Sequence, residues 1–126
     1  MNIPISAARV PTMKAQGLVF VGAVQASAAI ALAAYASHAV EVGARQSLFL
    51  AAMFAFGHGV ALTALAPHAQ RRLGLLALGL LALGCLLFSV SLAGAHFLGW
   101  PTRLAPAGGS LMILAWLMYA VDAVRR

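Results

Sequence analysis

The sequence predicts an all-α protein, an integral membrane four-helix up-down bundle, and three observations predict it. The stretch from Leu73 to Trp100 contains no Lys, Arg, Asp or Glu. At ~1.5 Å rise per residue, its roughly 25 apolar positions reach about 37 Å as a helix, enough to cross a ~30 Å hydrocarbon core with some tilt. The chain is 63% hydrophobic and 8% charged, whereas a soluble domain carries about 25% charged residues; most of the surface must therefore face lipid. Finally, four apolar runs alternate with short connections, and short connections make successive helices antiparallel neighbours.

The elements follow in order. Residues 1–15 carry Arg9, Lys14 and two prolines and are expected to form a short, loosely ordered tail. The first helix is expected over about 16–38. Its basic lead and the Ala34-Tyr35-Ala36 triplet resemble a signal peptide, but its apolar part of ~20 residues exceeds the roughly 7–15 of a signal core, so an uncleaved membrane helix is expected. Glu41 to Arg45 reads as a polar turn. The second helix is expected over about 46–66 and closes at Pro67. The third, over about 73–98, follows Arg71-Arg72. Gly99, Pro101 and Pro106 break the chain before a fourth helix over about 105–124. All 126 residues then make one transmembrane domain.

The formal charge is +6, yet the basic residues sit singly or in pairs between apolar runs, which excludes a nucleic-acid surface. They read instead as topological charge with a secondary attraction to anionic headgroups. Arg9, Lys14, Arg71, Arg72, Arg125 and Arg126 fall on one side, against Arg45 and Arg103 on the other. Both termini are therefore expected in the cytoplasm, with Trp100 at the outer interface.

Helices associate in lipid through close backbone approach, because lipid tails are as apolar as leucine. Gly22, Gln25, Ala29 and Ala36 share a stripe on helix 1, and Ala51, Ala55 and His58 share one on helix 2. Gly79, Ala82, Ser89 and Ala93 do so on helix 3; Gly108, Gly109 and Ala115 serve helix 4. AAYASHA in helix 1 and SLAGAHF in helix 3 echo each other, as two related hairpins would.

The polar groups within these runs are the candidate site residues. Counting ~1.5 Å per residue places Gln25 and His58 both about 12–14 Å from the inner boundary, near the midplane. An unpaired amide or imidazole there is costly, so a Gln25–His58 hydrogen bond is expected, with His58 neutral. Such a bond would tie two helices together; intramembrane ionisable residues are also functional candidates by default. His38 and His96 lie near the outer boundary. Two imidazoles could hold haem iron or a metal, but no third ligand or metal-type spacing accompanies them, and no metal or cofactor is expected. Cys85 reads as a small buried hydrophobe, Ser89 and Ser91 as hydroxyls bonded back to their own helix, and Asp122 as a local partner of Arg126. No catalytic triad, paired carboxylates or phosphate loop is present, and no enzymatic activity is expected.

Several of these residues resemble a family. Ala36-Ser37-His38, His58, Leu87-Phe88-Ser89-Val90-Ser91-Leu92, and Pro106-Ala107-Gly108-Gly109 followed by Trp116 are similar to motifs of the small bacterial inner-membrane proteins of the YgdD type. These form domain-of-unknown-function family 423, related to animal transmembrane protein 256. The family counterparts look like Gly-Ala-His, an aromatic-His pair, Phe-Ser-Gly-Ser-Leu, Thr-Pro-x-Gly-Gly and Gly-Trp; the chain departs at Val90, Ala105 and Ala115. The resemblance implies four membrane helices in a bacterial inner membrane and no assigned activity. The function expected is that of a non-enzymatic accessory or interaction subunit, whose partners are the lipid bilayer and other membrane proteins or further copies of itself. The alternatives are a small oligomeric transporter or channel constricted at Gln25 and His58, and a haem or metal protein using His38 and His96.

Overall fold

The computed structural model describes residues 9–39 and 41–125. Four helices follow one another: α1 (Met13–Ala39), α2 (Val42–Leu65), α3 (Arg72–Leu98) and α4 (Leu104–Val124), with a single 3₁₀ turn over Ala66–His68 between α2 and α3. All four are long and apolar enough to cross a membrane. Local chemistry sets the ends. Thr12 caps α1, its Oγ1 accepting the Ala15 N–H at 3.2 Å, which takes up one of the four donors a helix start leaves free. This extends α1 three residues into the expected tail, whose first eight residues lie outside those described. Glu41 to Arg45 is not a turn: the Arg45 N–H bonds the Glu41 carbonyl at 3.0 Å, and α2 begins at Val42. Pro106 is accommodated in the first turn of α4, where its missing N–H has no helical acceptor to lose.

The C-terminus of α3 requires a glycine. Gly99 has φ 66, in the left-handed region that closes many helices, and the Trp100 N–H returns to the Gly94 carbonyl at 3.3 Å. That fold-back lays the Trp100 ring over Gly94, where a Cβ would collide with it. Trp100 is otherwise half exposed, as an interfacial indole is.

Side-chain sizes are distributed opposite to those of a water-soluble bundle. Phe20, Ile30, Met53, Leu83, Ile113 and Leu117 are exposed, while the core is largely alanine with Leu48, Leu62, Leu78, Leu81, Cys85 and Met112. Small residues inside let backbones approach, and bulky ones outside meet lipid. Each hairpin crosses glycine on glycine. A Cβ on Gly22 would stand 2.6 Å from the Gly59 carbonyl oxygen, and one on Gly59 equally close to that of Gly22; in the second hairpin a Cβ on Gly108 would stand 2.6 Å from the Gly84 oxygen. Gly79, expected on a packing stripe, meets no neighbour within 4 Å. α1 packs on α2, α2 on α3 and α3 on α4, whereas α1 and α3 make only a thin contact and α1 and α4 no extensive one. The bundle is therefore open along the α1–α3 seam, and that opening sets the surroundings of the candidate site.

Candidate functional site

Helix rotation decides which midplane groups meet. Gly59 faces α1. His58, one residue earlier, is turned about 100° around α2, a quarter-turn or so at 3.6 residues per turn, and so faces α4. Gln25 lies one turn above Gly22 on the face that crosses α2. The expected Gln25–His58 hydrogen bond is therefore absent: the two residues point to different neighbours.

Gln25 instead bridges α1 to two helices. Its Nε2 donates to the Ala55 carbonyl at 3.3 Å and to Cys85 Sγ at 3.1 Å. Cys85 passes the pattern on, its thiol donating to the Phe54 carbonyl at 3.4 Å. From the opposite side, the Trp116 indole N–H donates to His58 Nε2 at 3.2 Å. An indole nitrogen can only donate, so Nε2 is the accepting nitrogen and Nδ1 carries the proton. Nδ1 lies 2.8 Å from the same Phe54 carbonyl. Two donor chains thus converge on one backbone oxygen of α2: Gln25 of α1 through Cys85 of α3, and Trp116 of α4 through His58. Every helix contributes. The Phe54 ring, stacked on His58 with centroids 5.7 Å apart and planes at 9°, covers the junction.

Ser89 extends the network toward the N-terminal end of α2. Its hydroxyl donates to the Ala51 carbonyl at 3.1 Å, a bond between helices and not the expected return to its own helix. Cys85 is accordingly a connecting group, donating and accepting, and more than an apolar filler. Gln25 Oε1 and Ser91 Oγ are buried polar atoms without a hydrogen-bond partner among the described residues. Gln25 is 6% exposed and Ser91 4%. Gln25 borders a groove of about 440 Å³ between α1 and α3.

At the C-terminal ends of α1 and α3, His38 and His96 are not brought together. His38 Nδ1 lies 3.0 Å from the Ala34 carbonyl of its own helix, while His96 Nε2 lies 3.2 Å from the Tyr35 hydroxyl. Tyr35 also packs on Phe97. Among the described residues no group of three His, Cys, Asp or Glu side chains could hold a metal ion. At the other end Asp122 lies against Gly74 in the first turn of α3, where a carboxylate favours the positive helix terminus; its expected partner Arg126 lies outside the described residues.

Trp116, Tyr35 and Phe54 were not singled out as site residues. For Trp116 a signal existed: a buried-height imidazole needs a donor or acceptor, and an indole at the same depth on the next helix is one. The Phe54 carbonyl carries no signal in the sequence at all.

A family model described as "Protein of unknown function (DUF423)" matches residues 32–109. The matched span runs from the C-terminal part of α1 to the start of α4, and so includes His58, Cys85 and Ser89 but neither Gln25 nor Trp116. No curated protein and no solved structure matches the chain.

Proposed function

The chain belongs to the DUF423 family of proteins of unknown function, and from that premise we propose that it is a non-enzymatic accessory or interaction subunit of a bacterial plasma membrane, with both termini in the cytoplasm. One observation carries this: Gln25, Cys85, His58 and Trp116, polar side chains within the apolar helices, are engaged in joining the four helices, in chains that converge on the Phe54 carbonyl. Groups so engaged hold a scaffold together. Between the helices beside these groups Ala51, Ala55 and Cys85 are buried, which supports a packed interior rather than a pore. The outer faces of α1 and α4, by contrast, present apolar surface to whatever lies beside them in the membrane.

Purification from native membranes in a mild detergent tests the proposal. A stoichiometric membrane partner, or a defined oligomer, is the expected outcome. A chain that runs alone as a monomer, with no co-purifying protein, would overturn it.

A further inference from the structure

The open α1–α3 seam has a charged mouth. A cavity of about 820 Å³ lies between the two helices, with Lys14 on one wall and Arg72 on the other and Leu18, Val21, Leu75 and Leu80 beneath them. The volume falls within the ~300–1,000 Å³ of ligand pockets. Both cationic side chains are exposed, and neither has a hydrogen bond or ion pair among the described residues. Further basic residues stand at the same end, Arg71 and Arg9, the latter bonded to Gln70. Of the chain's two acidic residues, Glu41 precedes α2 at the opposite end, and Asp122 sits against Gly74, which does not line the cavity. The field at the mouth is therefore positive.

Below the mouth the walls are apolar and have room. Gly17 on α1 and Gly79 on α3 both line the cavity, and a Cβ on either would meet nothing within 4 Å. Val21 is shared with the next cavity along the seam, which continues to Gln25 and Ser89. From Lys14 to Gln25 the seam runs about 16 Å along the helix axis.

We propose that this seam seats one acyl chain of an anionic phospholipid, with the lipid phosphate held between Lys14 and Arg72. The chemistry is that of basic pockets between membrane helices, which bind phosphate-bearing headgroups at the bilayer surface. Neutralisation at the mouth selects the headgroup. The apolar length selects a chain over a free phosphate, which could use the cations but would leave the seam unfilled.

Native mass spectrometry of the purified full chain tests this, titrating phosphatidylglycerol or phosphatidylcholine into a neutral detergent. The expected result is one phosphatidylglycerol retained per chain, with phosphatidylcholine bound far more weakly. Lys14→Gln with Arg72→Gln should weaken retention about thirtyfold, taking each surface cation at the usual strength. Gly79→Leu should abolish it by filling the seam, although every charge remains. Arg45→Gln with Arg103→Gln, at the other end, should leave it unchanged. Equal binding of the two lipids would overturn the proposal. So would an equal loss on removing the cations of either end, which indicates diffuse attraction, or full retention in Gly79→Leu. Should Gly79→Leu lower the melting temperature in lipid-free detergent, Gly17→Leu on the opposite wall makes the same test.

Discussion

Replacing Gly59 with alanine should separate the first hairpin, whereas the same replacement two residues away at Gly57 should not. A Cβ on Gly59 would lie 2.6 Å from the Gly22 carbonyl oxygen and 2.8 Å from the Ala26 backbone nitrogen. Both are backbone atoms, so no side chain can swing aside, and α1 must retreat by roughly 1 Å to restore ordinary contact. Overpacking of this kind costs about 1–3 kcal/mol. Alanine's better helix propensity returns about 1 kcal/mol, leaving Gly59→Ala destabilised by up to about 2 kcal/mol. At Gly57 a Cβ meets nothing within 4 Å; only the propensity gain of up to ~1 kcal/mol remains, and the variant should be neutral or slightly more stable. The observable is the difference of about 2 kcal/mol between two identical substitutions on one helix, read by reversible unfolding in mixed detergent–denaturant micelles. The double variant Gly22→Ala/Gly59→Ala should lose less than the sum of its singles, because one retreat of α1 relieves both clashes. Equal stability of Gly57→Ala and Gly59→Ala would show that α1 and α2 do not cross at this point.

Other outcomes are equally specific. A double-mutant cycle between Gln25→Leu and Cys85→Ala should give a coupling of about 0.6 kcal/mol, the average for hydrogen bonds between membrane helices; the cycle between Gln25→Leu and His58→Phe should give less, since Gln25 reaches the Phe54 carbonyl that His58 bonds only through Cys85, and the reverse order would refute the network. Gly94→Ala should push the Trp100 ring off α3 and change its fluorescence emission in a Trp116→Phe background; an unchanged spectrum would mean that the ring does not rest there. Reporter fusions after residues 42, 70, 101 and 126 should read outside, inside, outside and inside, and an outside signal at 126 would make the number of crossings odd.

The sequence makes the fold legible because the signals that define it are one-dimensional. The uncharged run of α3, the basic pairs and the short connections need only be counted along the chain. Placement along a helix is legible for the same reason: Gln25 and His58 both fall inside spans long and apolar enough to cross a membrane. Angular position around a helix is not, because it depends on where helices cross. The sequence puts Gly22 on a packing stripe but gives no sign that Gly59 is its partner, and without that pair the directions of Gln25 and His58 stay undetermined. The same gap assigned Ser89 to its own helix when its acceptor, the Ala51 carbonyl, lies on α2. Backbone acceptors such as Phe54 and Ala51 carry no residue-type signature, so a site built around them emerges only in three dimensions. Boundaries failed where one local bond decided them, as at Thr12 and at Glu41.

The inverted size distribution of the side chains has a thermal consequence. Alanine and glycine lose no rotamer freedom on burial, whereas a leucine or isoleucine loses about 0.5–1 kcal/mol and a methionine more. In this chain Ala15, Ala29, Ala36, Ala51, Ala55, Ala77 and Ala115 form much of the interior, while Ile30, Met53, Leu83, Ile113 and Leu117 stay in contact with fluid lipid. Assembly of the four helices therefore orders mainly side chains that had nothing to lose. The flexible ones keep their conformers in both the assembled and the dispersed states. The entropy opposing assembly then comes chiefly from the helices' own rotation and translation within the bilayer, so modest attractions between backbones suffice to hold the molecule together.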